Sequence, residues 1–216
     1  MNKNLLCEEI VSYFRRLYHS GMVNLFEGNI SVRYGDHYLI TPSQQDKDSM
    51  TPDMILEVDE EGNVIVGNGV PSSEFKMHRE VYRLRPDVCA CVHTHSPVAT
   101  AFAVAGREIV TNGLAEGNVV LGKVPVAPYG RPGTEDIYAH FSEFLPEYNA
   151  ILLGNHGVVT VGPDLSTAFS LTEAVEKTAK IVLIAQFLGG ENSIPEDELQ
   201  LLRQYGSYMR HKAMKQ

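Results

Sequence analysis

The sequence predicts an α/β fold in which a mostly antiparallel sheet is covered by helices on both faces. Segments with helical spacing of apolar residues alternate with strand-like segments along the whole chain. The strand-like segments between residues 28 and 70 are short and are joined by tight turns such as Tyr-Gly-Asp-His, which argues against an all-parallel sheet. We expect one domain over residues 1–216, because no linker, internal repeat or low-complexity run divides the chain.

The first half of the chain begins with a helix and continues with hairpins. Apolar residues recur every three or four positions from Leu6 to Leu17, which predicts a helix over residues 3–20 followed by Gly21. Residues 28–70 alternate as short antiparallel strands do. Helical spacing returns over residues 74–84, and Pro86 ends that helix.

The second half returns to alternating strands and helices. We expect a helix over residues 134–145 that opens at Thr134, and a strand pair over residues 149–162 that pivots on Gly154 and Gly157. The remaining predicted elements are a strand over 88–95, a helix over 97–105, an edge-like strand over 124–130, a long helix over 170–190 and a final helix with a basic tail over 195–216.

The composition excludes several classes of protein. Hydrophobic residues make up 44% of the chain and charged residues 21%, which are ordinary globular values. The net charge of −9 argues against a general nucleic-acid binder, although a local pocket can still bind a small anion. No apolar run reaches the ~18 residues of a membrane span. Three cysteines without a secretory signal favour reduced thiols and a cytoplasmic location.

Three histidines have the placement of metal ligands. His93 and His95 are two residues apart in a predicted strand, so both imidazoles lie on the same face. His156 lies in Gly-Asn-His-Gly after another apolar strand, where the glycines let the backbone approach closely. Three imidazoles with an open position are typical of a catalytic zinc site. The alternative is a pair of exposed histidines at a strand edge. His78, one turn after Glu74, is expected to be packed or to support a ligand.

Three short polar segments are candidates for an anion site. They are Gly-Asn-Ile-Ser (28–31), Thr-Pro-Ser-Gln (41–44) and Pro-Ser-Ser-Glu (71–74). The last precedes a predicted helix, so its backbone N–H groups and hydroxyls can face an anion such as phosphate. Ordinary turn and cap chemistry is the alternative for each segment, and Glu74 can also serve simply as a first-turn acid.

These motifs together resemble one known family. Gly-Asn-Ile-Ser, Ile-Thr-Pro-Ser, Pro-Ser-Ser-Glu, His-Thr-His and Gly-Asn-His-Gly occur in the order found in the class II aldolase/adducin family. Each motif is weak alone, but five in register over essentially the whole chain are specific. The resemblance implies a three-layer α/β/α fold and a four-fold symmetric homotetramer with active sites between subunits. Within the family, the chain looks most like the aldolases that cleave L-fuculose 1-phosphate.

The resemblance also implies residue roles. His93, His95 and His156 would hold zinc or another divalent transition metal, with Glu74 as the fourth ligand and the catalytic acid/base. Tyr205 matches a tail tyrosine that reaches an active site, although it can also simply pack on the last helix. The residues implied to line the phosphate site are Gly28, Asn29, Ser43, Gln44, Ser72 and Ser73.

The expected activity is cleavage of a ketose 1-phosphate, such as L-fuculose 1-phosphate, to dihydroxyacetone phosphate and an aldehyde through a metal-stabilised enediolate. The alternatives are a sugar-acid phosphate decarboxylase, a methylthioribulose-phosphate dehydratase, an L-ribulose-5-phosphate 4-epimerase and an adducin-like interaction module. An epimerase has aspartate where this chain has Glu74, and the interaction module lacks the histidines that are present here.

Two positions depart from the aldolase pattern. Ser43-Gln44 replaces Thr-Gly, which puts the phosphate contacts there in doubt. The family tyrosine thought to protonate the carbanion aligns with the segment 113–116, which contains no tyrosine. Its role would pass to a water, to Glu116 or to Tyr129, or the reaction differs.

Overall fold

A computed structural model describes residues 2–213. Its main feature is an eight-stranded sheet in the order β4-β3-β2-β1-β5-β10-β9-β8. All neighbouring strands are antiparallel except β8 and β9, and a separate antiparallel ribbon pairs β6 with β7. The strands are β1 (Asn29–Tyr34), β2 (His37–Ile40), β3 (Leu56–Val58), β4 (Val64–Val66), β5 (Ala90–Thr94), β6 (Ile109–Val110), β7 (Lys123–Val124), β8 (Val126–Ala127), β9 (Ala150–Leu153) and β10 (Gly157–Gly162).

Helices cover both faces of this sheet, which confirms the predicted fold class. The helices are α1 (Lys3–His19), α2 (Phe75–Leu84), α3 (Pro97–Val104), α4 (Ala115–Val120), α5 (Phe141–Phe144), α6 (Leu165–Phe187) and α7 (Glu196–Ala213), with short 3-10 helices at Pro52–Met54 and Glu135–Tyr138. Residues of α2 and α5 pack with Cys91 and Val159, whereas residues of α1, α3 and α6 pack with Val92 and Val158. Since neighbouring strand residues point to opposite faces, these are two cores on opposite sides of one sheet. The single-domain organisation stays a prediction.

Most predicted elements are present, with small differences in length. The first helix ends at His19, and Gly21 follows it with a left-handed φ of 71°. The strand predicted over 88–95 spans only Ala90–Thr94, so His95 lies just beyond its end. The predicted edge-like strand is divided into β7 and β8, and β8 lies at the edge of the main sheet.

The prediction of one helix over residues 134–145 is wrong. Thr134 does open the segment, because its side chain accepts a hydrogen bond from the Asp136 N–H. The first turn is a 3-10 helix that stops at Tyr138, and a separate short α-helix begins after His140. The apolar spacing that predicted one helix comes from three buried residues, Ile137, Phe141 and Leu145. These residues form one buried face across both short helices, so the spacing does not show that the helix is interrupted between Tyr138 and Phe141.

Candidate metal centre and active site

Strand pairing places His93 in the centre of the sheet. In β5 it lies opposite Asn29 of β1 on one side and Val159 of β10 on the other. Its side chain is fully buried on the face covered by α2. His93 Nδ1 lies 2.9 Å from the carbonyl oxygen of Val158. A carbonyl only accepts, so Nδ1 carries the proton and Nε2 presents its lone pair to the neighbouring histidines.

His156 comes to the same place through the turn between β9 and β10. Asn155 adopts a left-handed φ of 57°, a conformation that asparagine tolerates better than most residues. Gly157 then passes so close to β5 that a Cβ there would lie 2.5 Å from the Thr94 carbonyl oxygen. The glycine therefore lets this turn approach the strand end that carries His93 and His95.

The three histidines form a compact cluster of nitrogen ligands. One ring nitrogen from each of His93, His95 and His156 lies within 4.8 Å of the other two. His93 Nε2 and His95 Nε2 are 3.1 Å apart, close to the ~3.3 Å expected between two nitrogens bound to one tetrahedral zinc ion. His95 Nδ1 lies 3.5 Å from Glu27 Oε1, so its other nitrogen also has a polar neighbour. The donor set fits a divalent transition metal.

Burial lowers the pKa of His93 and His95, which favours the neutral imidazole that binds metal. Burial, followed by the nearby charges of His93 and His156, lowers the pKa of His95 to about 4. Burial is likewise the main cause that lowers the pKa of His93, although the charge of Glu74 opposes it. Neutral imidazoles do not have to release a proton before they bind a cation.

Glu74 completes the cluster from the N-cap position of α2. Its Oε1 lies 2.9 Å from His156 Nε2, and its Oε2 lies 3.3 Å from His93 Nε2. Asn29 Nδ2 donates to Oε2 at 2.7 Å and fixes the orientation of the carboxylate. Burial by itself raises the pKa of Glu74, but electrostatic interaction with the His93 and His156 rings and the hydrogen bonds from His156 and Asn29 outweigh it and hold the pKa well below its usual range. The carboxylate is therefore ionised.

The three polar segments meet beside this cluster. Ile30 N–H donates to Thr41 Oγ1 at 3.2 Å, which joins the first segment to the second. Pro42 forms a β-bridge with Pro71, and Ser43 N–H donates to the Val70 carbonyl at 2.8 Å, which joins the second to the third. The result is a cavity of about 200 Å³ lined by Phe26, Glu27, Gly28, Asn29, Pro42, Ser43, Gln44, Lys47, Ser72, Ser73, Glu74, His95 and His156.

Backbone conformation explains two residues in this cavity. Gly28 has a φ of 74°, and a Cβ there would lie 2.9 Å from the His93 carbonyl oxygen and 2.5 Å from Val23 Cγ1. Gln44 has a φ of 54°, so it adopts the left-handed conformation that is natural for the glycine it replaces. The Gln44 side chain belongs to the lining of the cavity at this turn.

A buried polar network lies behind the cluster on the α2 side. His78 is completely buried, and its Nδ1 lies 2.7 Å from Ser31 Oγ, which is also 2.7 Å from Tyr82 Oη. Burial, with a smaller effect from His93, lowers the pKa of His78 to about 3 and keeps it neutral. The expectation that His78 is packed inside the fold is confirmed.

Three residues that the sequence suggested for the active site do not line the cavity of the single chain. Tyr205 lies on α7 with 55% of its surface exposed, and it does not line the cavity. Tyr129 is also exposed, although its backbone passes close to Gly154, and Glu116 is exposed on α4. Sequence reasoning missed Glu27 and Lys47. Their signal is proximity in sequence to the Gly28 and Ser43 motifs.

Comparisons with known proteins show which family the chain belongs to. Residues 8–183 match the family model described as the class II aldolase and adducin N-terminal domain. A 5-deoxy-D-ribulose 1-phosphate aldolase of Bacillus thuringiensis is 34% identical over 90% of this chain and 92% of its own length. A 5-methylthioribulose-1-phosphate/5-deoxyribulose-1-phosphate aldolase of Rhodospirillum rubrum is 33% identical over 84% and 82%.

A solved structure gives the same result. The structure of an L-fuculose 1-phosphate aldolase superposes with a TM-score of 0.84 at 30% identity, over 92% of this chain and 94% of that one. No described helix is both long enough and apolar enough to cross a membrane. The expected fold and the expected enzyme class are therefore confirmed, and the chain belongs to the class II aldolase and adducin family.

Proposed function

We propose that this chain is a zinc-dependent aldolase that cleaves a ketose or deoxyketose 1-phosphate, such as L-fuculose 1-phosphate, to dihydroxyacetone phosphate and an aldehyde. The observation that carries the proposal is the convergence of His93, His95, His156 and Glu74 on one side of a cavity whose other side presents hydroxyl and amide groups. Metal and phosphate sites side by side are what a sugar phosphate requires.

The three imidazoles would hold the metal, with Glu74 as a fourth ligand that can exchange for substrate. A bound divalent ion supplies Lewis-acid polarisation of the substrate carbonyl. The Val158 carbonyl holds the His93 ring in the required tautomer, and the Glu27 carboxylate has the corresponding position beside His95. These contacts preorganise the ligands, so little reordering is needed when the ion binds.

Glu74 is the proposed general base and acid. It takes the proton from the C4 hydroxyl, the C3–C4 bond breaks, and the electron pair passes to C3 and the C2 carbonyl oxygen. The aldehyde leaves, and a proton added at C3 completes dihydroxyacetone phosphate. Asn29 holds the carboxylate in position through Nδ2, while its buried Oδ1 has no partner among the described residues and is free to accept from a substrate hydroxyl.

The proposed phosphate site consists of the turn residues around the cavity. The Ser72 and Ser73 hydroxyls lie in the turn that leads into α2, where backbone N–H groups favour an anion. The Ser43-Gln44 turn lies next to them through the Pro42–Pro71 bridge. The complete proposed set is Gly28, Asn29, Ser43, Gln44, Ser72 and Ser73.

The substrate class is narrowed by the relatives. Two of the similar proteins are named for 5-deoxyribulose 1-phosphate and one for L-fuculose 1-phosphate. Both sugars share the first four carbons of a ketose 1-phosphate and differ beyond them. The proposal therefore specifies the substrate from C1 to C4, and the product assay identifies the group beyond C4.

The proposal includes a homotetramer in the cytoplasm, with active sites between subunits. Two observations support the assembly: α6 and α7 carry exposed apolar residues, including Phe187 and Leu201, and Tyr205 lies away from the cavity of its own chain. Tyr205 would reach a neighbouring subunit's cavity as a proton donor. Free Cys7, Cys89 and Cys91 are consistent with a reducing compartment.

The test is product formation by zinc-loaded protein. The protein is incubated in turn with 5-deoxyribulose 1-phosphate, L-fuculose 1-phosphate and L-ribulose 5-phosphate, and dihydroxyacetone phosphate is followed with a coupled dehydrogenase. We expect release from at least one ketose 1-phosphate. Glu74→Gln should lower kcat by about a hundredfold or more, because the general base is lost.

Two outcomes would contradict the proposal. Conversion of L-ribulose 5-phosphate to its C4 epimer without cleavage of either ketose 1-phosphate would identify an epimerase. Failure of all three substrates in protein that binds zinc would move the function to a decarboxylase or dehydratase built on the same metal site.

A further inference from the structure

Lys47 is a buried cation in the wall of the cavity. It follows the Ser43-Gln44 turn, and only 1% of its surface is exposed. It lines the same cavity as Ser43, Ser72 and Glu74, and it is the sole lysine or arginine among the residues described there. Its Nζ lies 4.9 Å from the centre of the Phe14 ring of α1, a cation–π contact.

The ammonium group of Lys47 has few partners within the chain; burial lowers its pKa, and the nearby negative charge of Asp46 opposes this effect. Among the described residues, the ammonium group of Lys47, which has three N–H donors, has one acceptor, the Gln45 carbonyl oxygen at 3.0 Å. The neighbouring Asp46 carboxylate instead accepts from Asp48 N–H and Ser49 Oγ, both at 3.0 Å. No carboxylate forms an ion pair with Lys47 among residues 2–213. A buried charge without a counterion is costly, so a ligand that supplies negative charge would stabilise it.

We propose that Lys47 binds the phosphate of the substrate as its cationic partner. The hydroxyls and amide groups of the turns would orient the phosphate by donating hydrogen bonds to its oxygens. The lysine would supply the positive charge that these neutral donors lack. This need is greater in a chain with a net charge of −9 and with Glu27 and Glu74 lining the same cavity. The inference rests on the proposed function, which identifies the anion as a sugar phosphate.

A purely structural lysine makes a different prediction. If Lys47 served only to hold its own turn through the Gln45 carbonyl, a neutral donor of similar length would replace it. Lys47→Gln keeps an N–H donor without the charge, whereas Lys47→Met removes both. Lys76→Met is the matched control, because Lys76 is exposed on α2, close to the site in sequence but outside the cavity lining.

The experiment measures the binding of inorganic phosphate to zinc-loaded protein by titration calorimetry, together with KM and kcat for the active ketose 1-phosphate. We expect both Lys47 variants to raise the phosphate Kd and the KM by about tenfold or more, the range of a charge-assisted hydrogen bond, with kcat nearly unchanged. Lys76→Met should behave as wild type. Zinc content should be equal in all proteins.

Wild-type phosphate affinity in both Lys47 variants would overturn the inference. It would also be overturned if Lys47→Met lost phosphate affinity while Lys47→Gln kept it, because the hydrogen bond to the Gln45 carbonyl, and not the charge, would then be what matters. Absence of phosphate binding by the unmodified protein would also overturn it. If Lys47→Met does not fold, Lys47→Gln alone decides. Loss of phosphate binding in the variants, with no cleavage by the unmodified protein, would retain Lys47 as an anion ligand and remove the aldolase proposal instead.

Discussion

A single methyl group at Gly157 should damage the metal centre although none of the ligand residues is replaced. The Cβ of Gly157→Ala would lie 2.5 Å from the Thr94 carbonyl oxygen, 3.0 Å from His95 Cδ2 and 3.1 Å from His93 Cε1. The carbonyl belongs to the backbone of β5 and cannot move alone. Relief therefore requires β10 or the end of β5 to shift, and either shift moves the imidazoles relative to one another.

The expected size of the effect has two parts. Overpacking of this kind costs about 1–3 kcal/mol, which corresponds to a fall in Tm of roughly 2–12 °C for a chain of this length. Displacement of ligands adds a loss of zinc affinity of about 10–100-fold, the range seen when the surroundings of a metal site are disturbed. The loss of zinc affinity distinguishes damage to the metal site from a general loss of stability.

Gly162→Ala provides the matched control. It lies at the far end of the same strand, and its Cβ would lie 2.8 Å from Ala168 N and 3.0 Å from the Asp164 carbonyl oxygen. It should lower Tm to a similar extent and leave zinc affinity unchanged. The assays are thermal unfolding by circular dichroism without metal and competition for zinc with a chromophoric chelator. Equal zinc affinity in wild type and Gly157→Ala would refute the reasoning.

Two further predictions concern the fold around the site. Gln44→Gly places glycine, which tolerates a left-handed φ, at a position where glutamine is strained. The free energy of unfolding should therefore rise by about 0.5–1 kcal/mol, measured as a higher denaturant midpoint. A lower midpoint would show that the Gln44 side chain stabilises the turn. Hydrogen bonding from Lys3 is the main cause that lowers the pKa of Glu57, against the effect of burial, so the stabilisation exists above the unfolded pKa of ~4.3 and is lost as pH falls through the folded pKa. Glu57→Gln should therefore cost about 1–3 kcal/mol at pH 7 in urea unfolding and progressively less below pH ~4, whereas exposed Glu61→Gln should change neither; a pH-independent cost would contradict this.

Local sequence patterns predicted the metal cluster because strand geometry is regular. The two-residue spacing of His93 and His95 in a strand predicts that both side chains point to the same face of the sheet, and the glycines around His156 indicate a tight turn. The convergence of the three polar segments was a hypothesis from their composition. It is realised by the Thr41 contacts and the Pro42–Pro71 bridge, which are long-range and have no local signature.

Other features depend on tertiary contacts that a single sequence does not encode locally. Lysine is rarely buried, so the sequence Gln-Asp-Lys-Asp does not predict that Lys47 is buried over Phe14, although its closeness to Ser43 is a signal that it lies near the cavity. The interruption between Tyr138 and Phe141 is likewise invisible in the apolar spacing, because the buried face continues through it. The role proposed for Tyr205 rests on the proposed tetramer, because Tyr205 does not line the cavity of its own chain.

The measurement that tests the metal-dependent site most directly is a zinc titration of metal-free protein with activity as the readout. The account predicts that cleavage of the active ketose 1-phosphate rises linearly with added zinc and stops at one ion per chain, while His95→Ala, although folded, neither binds zinc tightly nor gains activity. Full activity in protein freed of metal by a chelator, or in folded His95→Ala, would contradict it.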